Sequence, residues 1–330
     1  MIKIDLITGF LGSGKTTFIR NYVKHITKKG QRVAIIENDY GAINVDRLLL
    51  QDVTGEDVDV EMIVSCPDPE THRRRYKTKL ISMAMLGYDR VIIEPSGIYD
   101  VDEFFDVLYE SPIDSRYEAG NVITIVDSRL EEDLSESSDY MLCSQIAPAG
   151  TVVFSKSQLA STEEIDHVKA HIQKALTRFH CKRELTDKDF LIKDWSTLTD
   201  GDYDRLLSCG YHQSSFVKMQ VTHGDTYQSL FFMNLDITKE ELQQKAAALL
   251  TDPSCGHVIR IKGFICAGSS PEDTEGSTGI TWYEYNATAK EQTLTPIPVG
   301  QKVLIVIGEA LDAEKVKAYF PNAEFKGEIR

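Results

Sequence analysis

The chemistry of this 330-residue chain concentrates in Gly9-Phe10-Leu11-Gly12-Ser13-Gly14-Lys15-Thr16-Thr17, a complete G-x-x-x-x-G-K-[ST] run. Glycines there allow a turn tight enough for successive N–H groups to surround a phosphate at the positive end of a helix. In that pattern Lys15 reaches the β- and γ-phosphates and the Thr16 hydroxyl ligates Mg²⁺, with Gly12, Ser13, Gly14 and Thr17 completing the cradle. A second constellation is Glu94-Pro95-Ser96-Gly97. Its carboxylate can hold Mg²⁺ through water, and a glycine three residues on can offer its N–H to a γ-phosphate and lose that contact on hydrolysis. Asn38-Asp39-Tyr40-Gly41 stands where a first switch would lie, with Asp39 as a further Mg²⁺-linked or water-positioning carboxylate. The expectation is a nucleoside triphosphate held with Mg²⁺ and cleaved at its γ-phosphate, with Lys15, Asp39 and Glu94 in the catalytic roles.

These groups need a scaffold that gathers loops at one edge. Short apolar runs at 2–7, 31–37, 61–65, 90–94, 121–127 and 151–155 read as strands, with helices over 71–86, 101–109 and 161–179 and one following the glycine-rich loop. Continuous apolar strands joined by helices predict an α/β fold, a mainly parallel sheet covered by helices on both faces. In such a sheet the functional loops lie at the strand C-termini, where Gly9, Asn38, Glu94, Asp127 and Ser155 all fall. The pattern then changes. Strands at 216–222, 229–236, 257–266, 280–286, 292–296 and 303–307, with helices at 239–250 and 312–320, predict a smaller α+β domain. We therefore divide the chain into a nucleotide-binding domain, 1–212, and a C-terminal domain, 213–330. Residues 267–279, rich in Ser, Glu and Gly, read as a hairpin loop.

A net charge of −15 argues against a nucleic-acid partner, whose phosphates it would repel. No apolar run reaches membrane-spanning length, no signal peptide fits the charged start, and the expected location is cytoplasmic. The six cysteines form no C-x-x-C pair and are expected to be reduced.

The glycine-rich loop, the Asn-Asp-aromatic-Gly segment and the strand ending in Glu-x-Ser-Gly together resemble the CobW-like GTPases. These are metal-insertion chaperones related to the nickel-inserting GTPases of hydrogenase and urease. Asp127, Gln145-Ile146-Ala147, Arg260-x-Lys262-Gly263 and the run 303–308 extend the resemblance over nearly the whole chain. It implies Mg²⁺-dependent GTP hydrolysis coupled to a transition metal, usually Zn²⁺ or Co²⁺, delivery to a client metalloprotein or metallocofactor protein, and a homodimer across the nucleotide.

Two departures qualify it. The family's Cys-x-Cys-Cys cluster is represented by Ser65-Cys66-Pro67-Asp68-Pro69, a single thiol. Cys66 with Asp68, Glu70 and His72 can hold a transition metal more weakly than three thiolates; equally, Cys66 can be a plain buried thiol. Where Asn-Lys-x-Asp should read guanine, the chain has Ser155-Lys156-Ser157-Gln158. Lys156 can lie along the base plane, but the neutral Gln158 weakens the charge-assisted preference for guanine. Weaker metal candidates are His167 with His171, a helical pair that also fits a solvated face, and the trio Cys255, His257 and Cys266. Two rival readings stay open: a nucleotide-gated adaptor for a metalloprotein or corrinoid protein that binds no metal itself, and a P-loop small-molecule kinase using Arg73–Arg75.

Overall fold

The structure, a computed structural model, describes residues 1–39, 50, 53–64, 68–219, 226–267 and 281–328. The chain divides into two compact units, one of Met1–Tyr40 with Leu49–Gln220, the other mainly Val221–Arg330. In the first unit, seven strands lie in one sheet: β1 (Ile2–Thr8), β2 (Val33–Asp39), β3 (Val58–Val64), β4 (Arg90–Pro95), β5 (Tyr117–Asp127), β6 (Thr151–Ser155) and β7 (Phe190–Ile192). Their order is β3-β2-β4-β1-β5-β6-β7, and every pairing is parallel. The α/β reading thus holds, with β1 central and all strand C-termini at one edge.

Alternation along the strands divides the core between the two faces. Ile4 and Leu6 of β1, Ala34 and Ile36 of β2, and Val91 and Ile93 of β4 pack with Tyr76, Leu80 and Met83 of α2 (Pro69–Met85) and Phe104 of α3 (Asp102–Leu108). Their neighbours Ile7, Val33, Ile35 and Ile92 face the other way, against Phe18, Ile19, Tyr22, Val23 and Ile26 of α1 (Lys15–Lys28). Next come α4 (Glu136–Ile146), α5 (Thr162–Arg178) and α6 (Asp200–Leu206). Side-chain caps set their starts: Asp68 accepts from Thr71 N ahead of α2, Ser135 from Ser138 N ahead of α4, and Ser161 and Glu164 form a capping box on α5.

A buried polar knot fastens the edge opposite the site. Asp5, fully buried, accepts from Arg90 Nη1 through both carboxylate oxygens, at 2.7 and 2.6 Å. It also accepts from Tyr22 Oη at 2.9 Å and from the Asn121 backbone N–H at 2.8 Å. The Asn121 side chain reaches on to Leu207 O and Gly210 N, so β1, β4, β5, α1 and the stretch after α6 share one set of hydrogen bonds.

The expected strand over 216–222 is not formed at 216–219, and its remainder lies outside the described residues. Ring packing, one backbone hydrogen bond and an ion pair, not a ladder, hold this stretch. Phe216 packs beside Tyr140 (ring centroids 6.0 Å apart), Val217 N donates to Phe179 O at 2.7 Å, and Lys218 pairs with Asp102. The expected loop at 267–279 likewise lies outside the described residues from 268 on.

The second unit contains β8 (Tyr227–Met233), α7 (Lys239–Thr251), β9 (His257–Ala267), β10 (Thr281–Thr288), β11 (Glu291–Ile297), β12 (Val303–Glu309), α8 (Ala313–Tyr319) and β13 (Glu324–Glu328). They form a six-stranded antiparallel sheet, β11-β10-β9-β12-β8-β13. Phe232, Ile261, Ile265 and Leu304 of one face pack with Leu242, Leu249 and Val316 of the two helices. Gly263 permits close pairing in the middle of the sheet, since a Cβ there would stand 2.1 Å from Val303 O.

Candidate functional site

The glycine-rich loop runs from the end of β1 into α1, as the sequence requires. Gly9, with φ +147°, leaves no room for a side chain, because a Cβ would meet Ile125 O at 2.2 Å. Gly14 caps α1 in the left-handed region at φ 95°. Lys15 is buried and donates to Gly9 O at 2.9 Å, folding its ammonium back over the loop. Ser13 is buried beneath the loop, while Thr17 is exposed on the first turn of α1.

Thr16 Oγ1 donates to Glu94 Oε1 at 2.6 Å, joining the helix start to the end of β4. Glu94 is buried, and its register partner on β2 is Glu37, only 2% exposed. Neighbours in parallel register project to the same face, so two carboxylates and a hydroxyl gather beside the phosphate loop. Hard oxygen donors of that kind suit Mg²⁺. The fit is therefore good for Thr16 and Glu94. Asp39 ends β2 in register with Val64, but its side chain lies outside the described residues, as do Tyr40, Gly41 and Cys66.

Gly97 closes against the loop from the other side: a Cβ on it would stand 2.7 Å from Leu11 N. Its carbonyl accepts from Gln145 Nε2 at 3.0 Å. At the end of β6, Ser155 O accepts from both the backbone N–H and the hydroxyl of Ser128, tying the ends of β5 and β6 together. Lys156 follows in the left-handed region at φ 55°. Its ammonium lies 2.7 Å from Asp127 Oδ2 and 3.5 Å from Gly12 O, so it spans from the β5 end to the phosphate loop. Gln158 is exposed.

Glu37 and Trp195 escaped the sequence reading. Trp195 follows the three-residue β7; its Nε1 donates to Phe154 O at 3.0 Å, and its ring meets Phe18 edge-on with centroids 5.6 Å apart. It also lies 3.4 Å from where a Cβ on Gly14 would stand, so it braces the phosphate loop against the β6 end. The only signal was an aromatic shortly after an apolar triplet. The signal for Glu37 was a carboxylate directly after the buried apolar run of β2.

Most of the other transition-metal candidates have partners of their own. Asp68 caps α2, and hydrogen bonds from the Thr71 hydroxyl and amide hold its carboxyl below the usual range. Glu70 is exposed, and His72 is buried, which pushes its imidazole pKa down. His171 Nε2 meets Asp139 at 2.8 Å, whereas His167 lies 3.6 Å from Glu132, so the helical pair turns to separate carboxylates. Cys255 sits against Asp252, His257 beside Glu309, and Cys266 opposite Trp282 at the far end of β9. Among the described residues no three His, Cys, Asp or Glu side chains are arranged to hold a metal ion. Cys143, Cys181, Cys209, Cys255 and Cys266 are free thiols. Arg73, a candidate for a kinase lid, is paired with Glu110, as is Lys77. Among the described residues no helix is long and apolar enough to cross a membrane.

Residues 3–181 match the profile of the CobW/HypB/UreG nucleotide-binding domain. The chain is 30% identical over 168 residues to the zinc chaperone YeiR of Escherichia coli, covering 49% of each. It is 26% identical over 180 residues to the zinc-regulated GTPase metalloprotein activator 1 of Schizosaccharomyces pombe, covering 52% of this chain and 43% of that protein. It thus spans about half the length of the curated relatives it matches. Among solved structures, Zn(II)-bound YjiA GTPase from Escherichia coli aligns over 98% of this chain and 99% of that one at 17% identity, with a TM-score of 0.36. The hydrogenase maturation factor HypB of Archaeoglobus fulgidus aligns over 63% and 87% at 16% identity, with a TM-score of 0.39. The match spans more than half of the sequence, including the phosphate loop, the Glu94–Gly97 turn and the β6 end, and the chain belongs to the CobW/HypB/UreG nucleotide-binding family.

Proposed function

We propose that this chain is a Mg²⁺-dependent GTP-hydrolysing switch that assists delivery of a transition metal to a client metalloprotein. The observation that carries the reading is the 2.6 Å contact between Thr16 and Glu94, which unites the phosphate loop with the end of β4 where Mg²⁺ belongs. Loop amides and Lys15 bind the phosphates, Thr16 and Glu94 hold the metal, and Asp39 positions the attacking water. Held by Thr16 and Glu94, Mg²⁺ would supply positive charge to the phosphate oxygens. Lys156 lies along the base, and Gln158 offers it a donor and an acceptor. Loss of the γ-phosphate releases Gly97 and the segment beyond Asp39, and that movement reshapes the surroundings of Cys66, the candidate Zn²⁺ or Co²⁺ ligand. A homodimer closing over the nucleotide belongs to the same reading.

The test is calorimetric titration with non-hydrolysable GTP and ATP analogues, each with and without Zn²⁺ or Co²⁺. Guanine-selective binding that changes with the metal is expected, and Thr16→Ala and Glu94→Gln should each abolish its Mg²⁺ dependence. Mg²⁺-independent binding in the wild type sinks the site assignment. One observation favours a second reading: a lone Cys66 replaces the family's cysteine cluster. A nucleotide-gated adaptor would bind GTP with no response to either metal.

A further inference from the structure

Helix α4 grips the segment that follows the Glu94–Gly97 turn. Tyr140 Oη donates to Asp100 Oδ2 at 2.8 Å, and Ser144 Oγ donates to Asp100 Oδ1 at 2.7 Å. The Val101 N–H returns a bond to Ser144 Oγ at 3.1 Å, and Gln145 Nε2 donates to Gly97 O at 3.0 Å. Burial above all, then the charge of Asp100, pushes the Tyr140 phenol pKa up, which keeps it a donor.

Gln145 is the unusual member. It is fully buried, and its Oε1 has no hydrogen-bond partner among the described residues. An unsatisfied buried amide oxygen is destabilising, and a Leu or Met of similar size would fill the space without it. Its one side-chain bond goes to the carbonyl of Gly97, whose other side abuts the backbone of Leu11 in the phosphate loop. The glycine is thus pressed between α4 and the loop.

We propose that Gln145 is a positioning residue that holds Gly97 against the phosphate loop, where its N–H can reach a γ-phosphate, so that α4 is biased by the nucleotide state. The inference rests on the nucleotide site proposed above. A bond made in only one of two states shifts the equilibrium between them by its differential strength. Without it, affinity for a triphosphate should fall relative to that for a diphosphate, while the diphosphate keeps its loop contacts.

The experiment compares the wild-type chain with Gln145→Leu and with Gln145→Asn, which keeps the amide but withdraws it from Gly97. Calorimetry gives dissociation constants for GDP and for a non-hydrolysable GTP analogue with Mg²⁺, and thermal unfolding confirms the fold. The expected result is an analogue-to-GDP affinity ratio reduced by about three- to tenfold in both variants, the range carried by one ordinary hydrogen bond, with GDP affinity held. If one variant fails to fold, the other decides. An unmoved ratio, or a parallel loss of both affinities, overturns the inference while leaving the nucleotide site in place. A wild-type chain that binds neither nucleotide overturns the proposed function and this inference with it.

Discussion

Adding one methyl group to Gly97 puts the geometry of the proposed switch under direct load. A Cβ there would lie 2.7 Å from Leu11 N and 2.9 Å from both Leu11 Cα and Cδ2. Comfortable carbon contacts lie at about 3.5–4.0 Å, so roughly 0.6 Å or more must be absorbed. Two of the three atoms are backbone, in a loop whose neighbours Gly9 and Gly12 hold φ values of 147° and 75°. The loop therefore cannot yield as a side-chain tip would. The φ of Gly97 lies outside the left-handed region, so Ala costs nothing in backbone conformation and the effect is steric alone. Overpacking of this kind costs about 1–3 kcal/mol. If Gly97 backs away from Leu11, that cost falls on the γ-phosphate contact, and triphosphate affinity drops by about 5- to 150-fold. Calorimetry on Gly97→Ala with a non-hydrolysable GTP analogue and with GDP measures it, alongside single-turnover hydrolysis. Analogue binding and hydrolysis both at wild-type levels would refute the close approach and the switch role built on it.

Asp5→Ala strands the Arg90 guanidinium in the core, which should cost about 3–5 kcal/mol in denaturant titration of the first unit. A loss below about 1 kcal/mol would mean water reaches the knot. Trp195→Phe removes the bond to Phe154 O, about 1 kcal/mol, and should weaken nucleotide binding through the Gly14 turn. With Trp282→Phe, Trp195 becomes the sole indole of the chain, and its emission should shift on adding nucleotide; a silent signal counts against its place beside the phosphate loop. Burial lowers the His72 pKa below its ordinary value, about 6.5 in the unfolded chain. The unfolded chain then binds more protons as pH falls, so this contribution is full above the unfolded pKa and is lost as pH falls toward and through the folded one. The melting temperature of the wild type should drop more steeply below neutrality than that of His72→Gln, and parallel curves would remove His72 as the source.

The phosphate loop and the strands on either side of it were legible because their constraints are local. A strand buried on both faces reads as a continuous apolar run, as 33–36 of β2, 91–93 of β4 and 152–154 of β6 do, whereas β1 shows as an alternation in which Lys3 and Asp5 separate its apolar residues. The loop glycines meet steric demands that few other sequences satisfy. The stretch 216–219 misled because Phe216 and Val217 look like strand residues, while ring packing and a bond to Phe179 O are what hold them. β7 has only three residues, too few for a period to show, and Trp195 was hidden with it.

Helix α4 was missed for a more telling reason. A surface helix reveals itself by an apolar stripe against polar solvent-facing positions. In α4 every residue from Ser138 to Ile146 is buried, polar and apolar alike, so no stripe exists. The polar members are occupied inward: Tyr140 and Ser144 on Asp100, Gln145 on Gly97, and Asp139 on His171 and Arg178 of α5. Buried polar groups persist where their hydrogen bonds are made, and here those bonds converge on the turn after β4 and on the neighbouring helix. The loss of periodicity and the grip on the segment after β4 have one cause. A helix that holds a neighbouring turn by hydrogen bonds must place polar side chains where a plain core helix would carry Leu or Val. Similar polar, aperiodic stretches after the Glu-x-x-Gly strand of related chains are where the same arrangement should be sought.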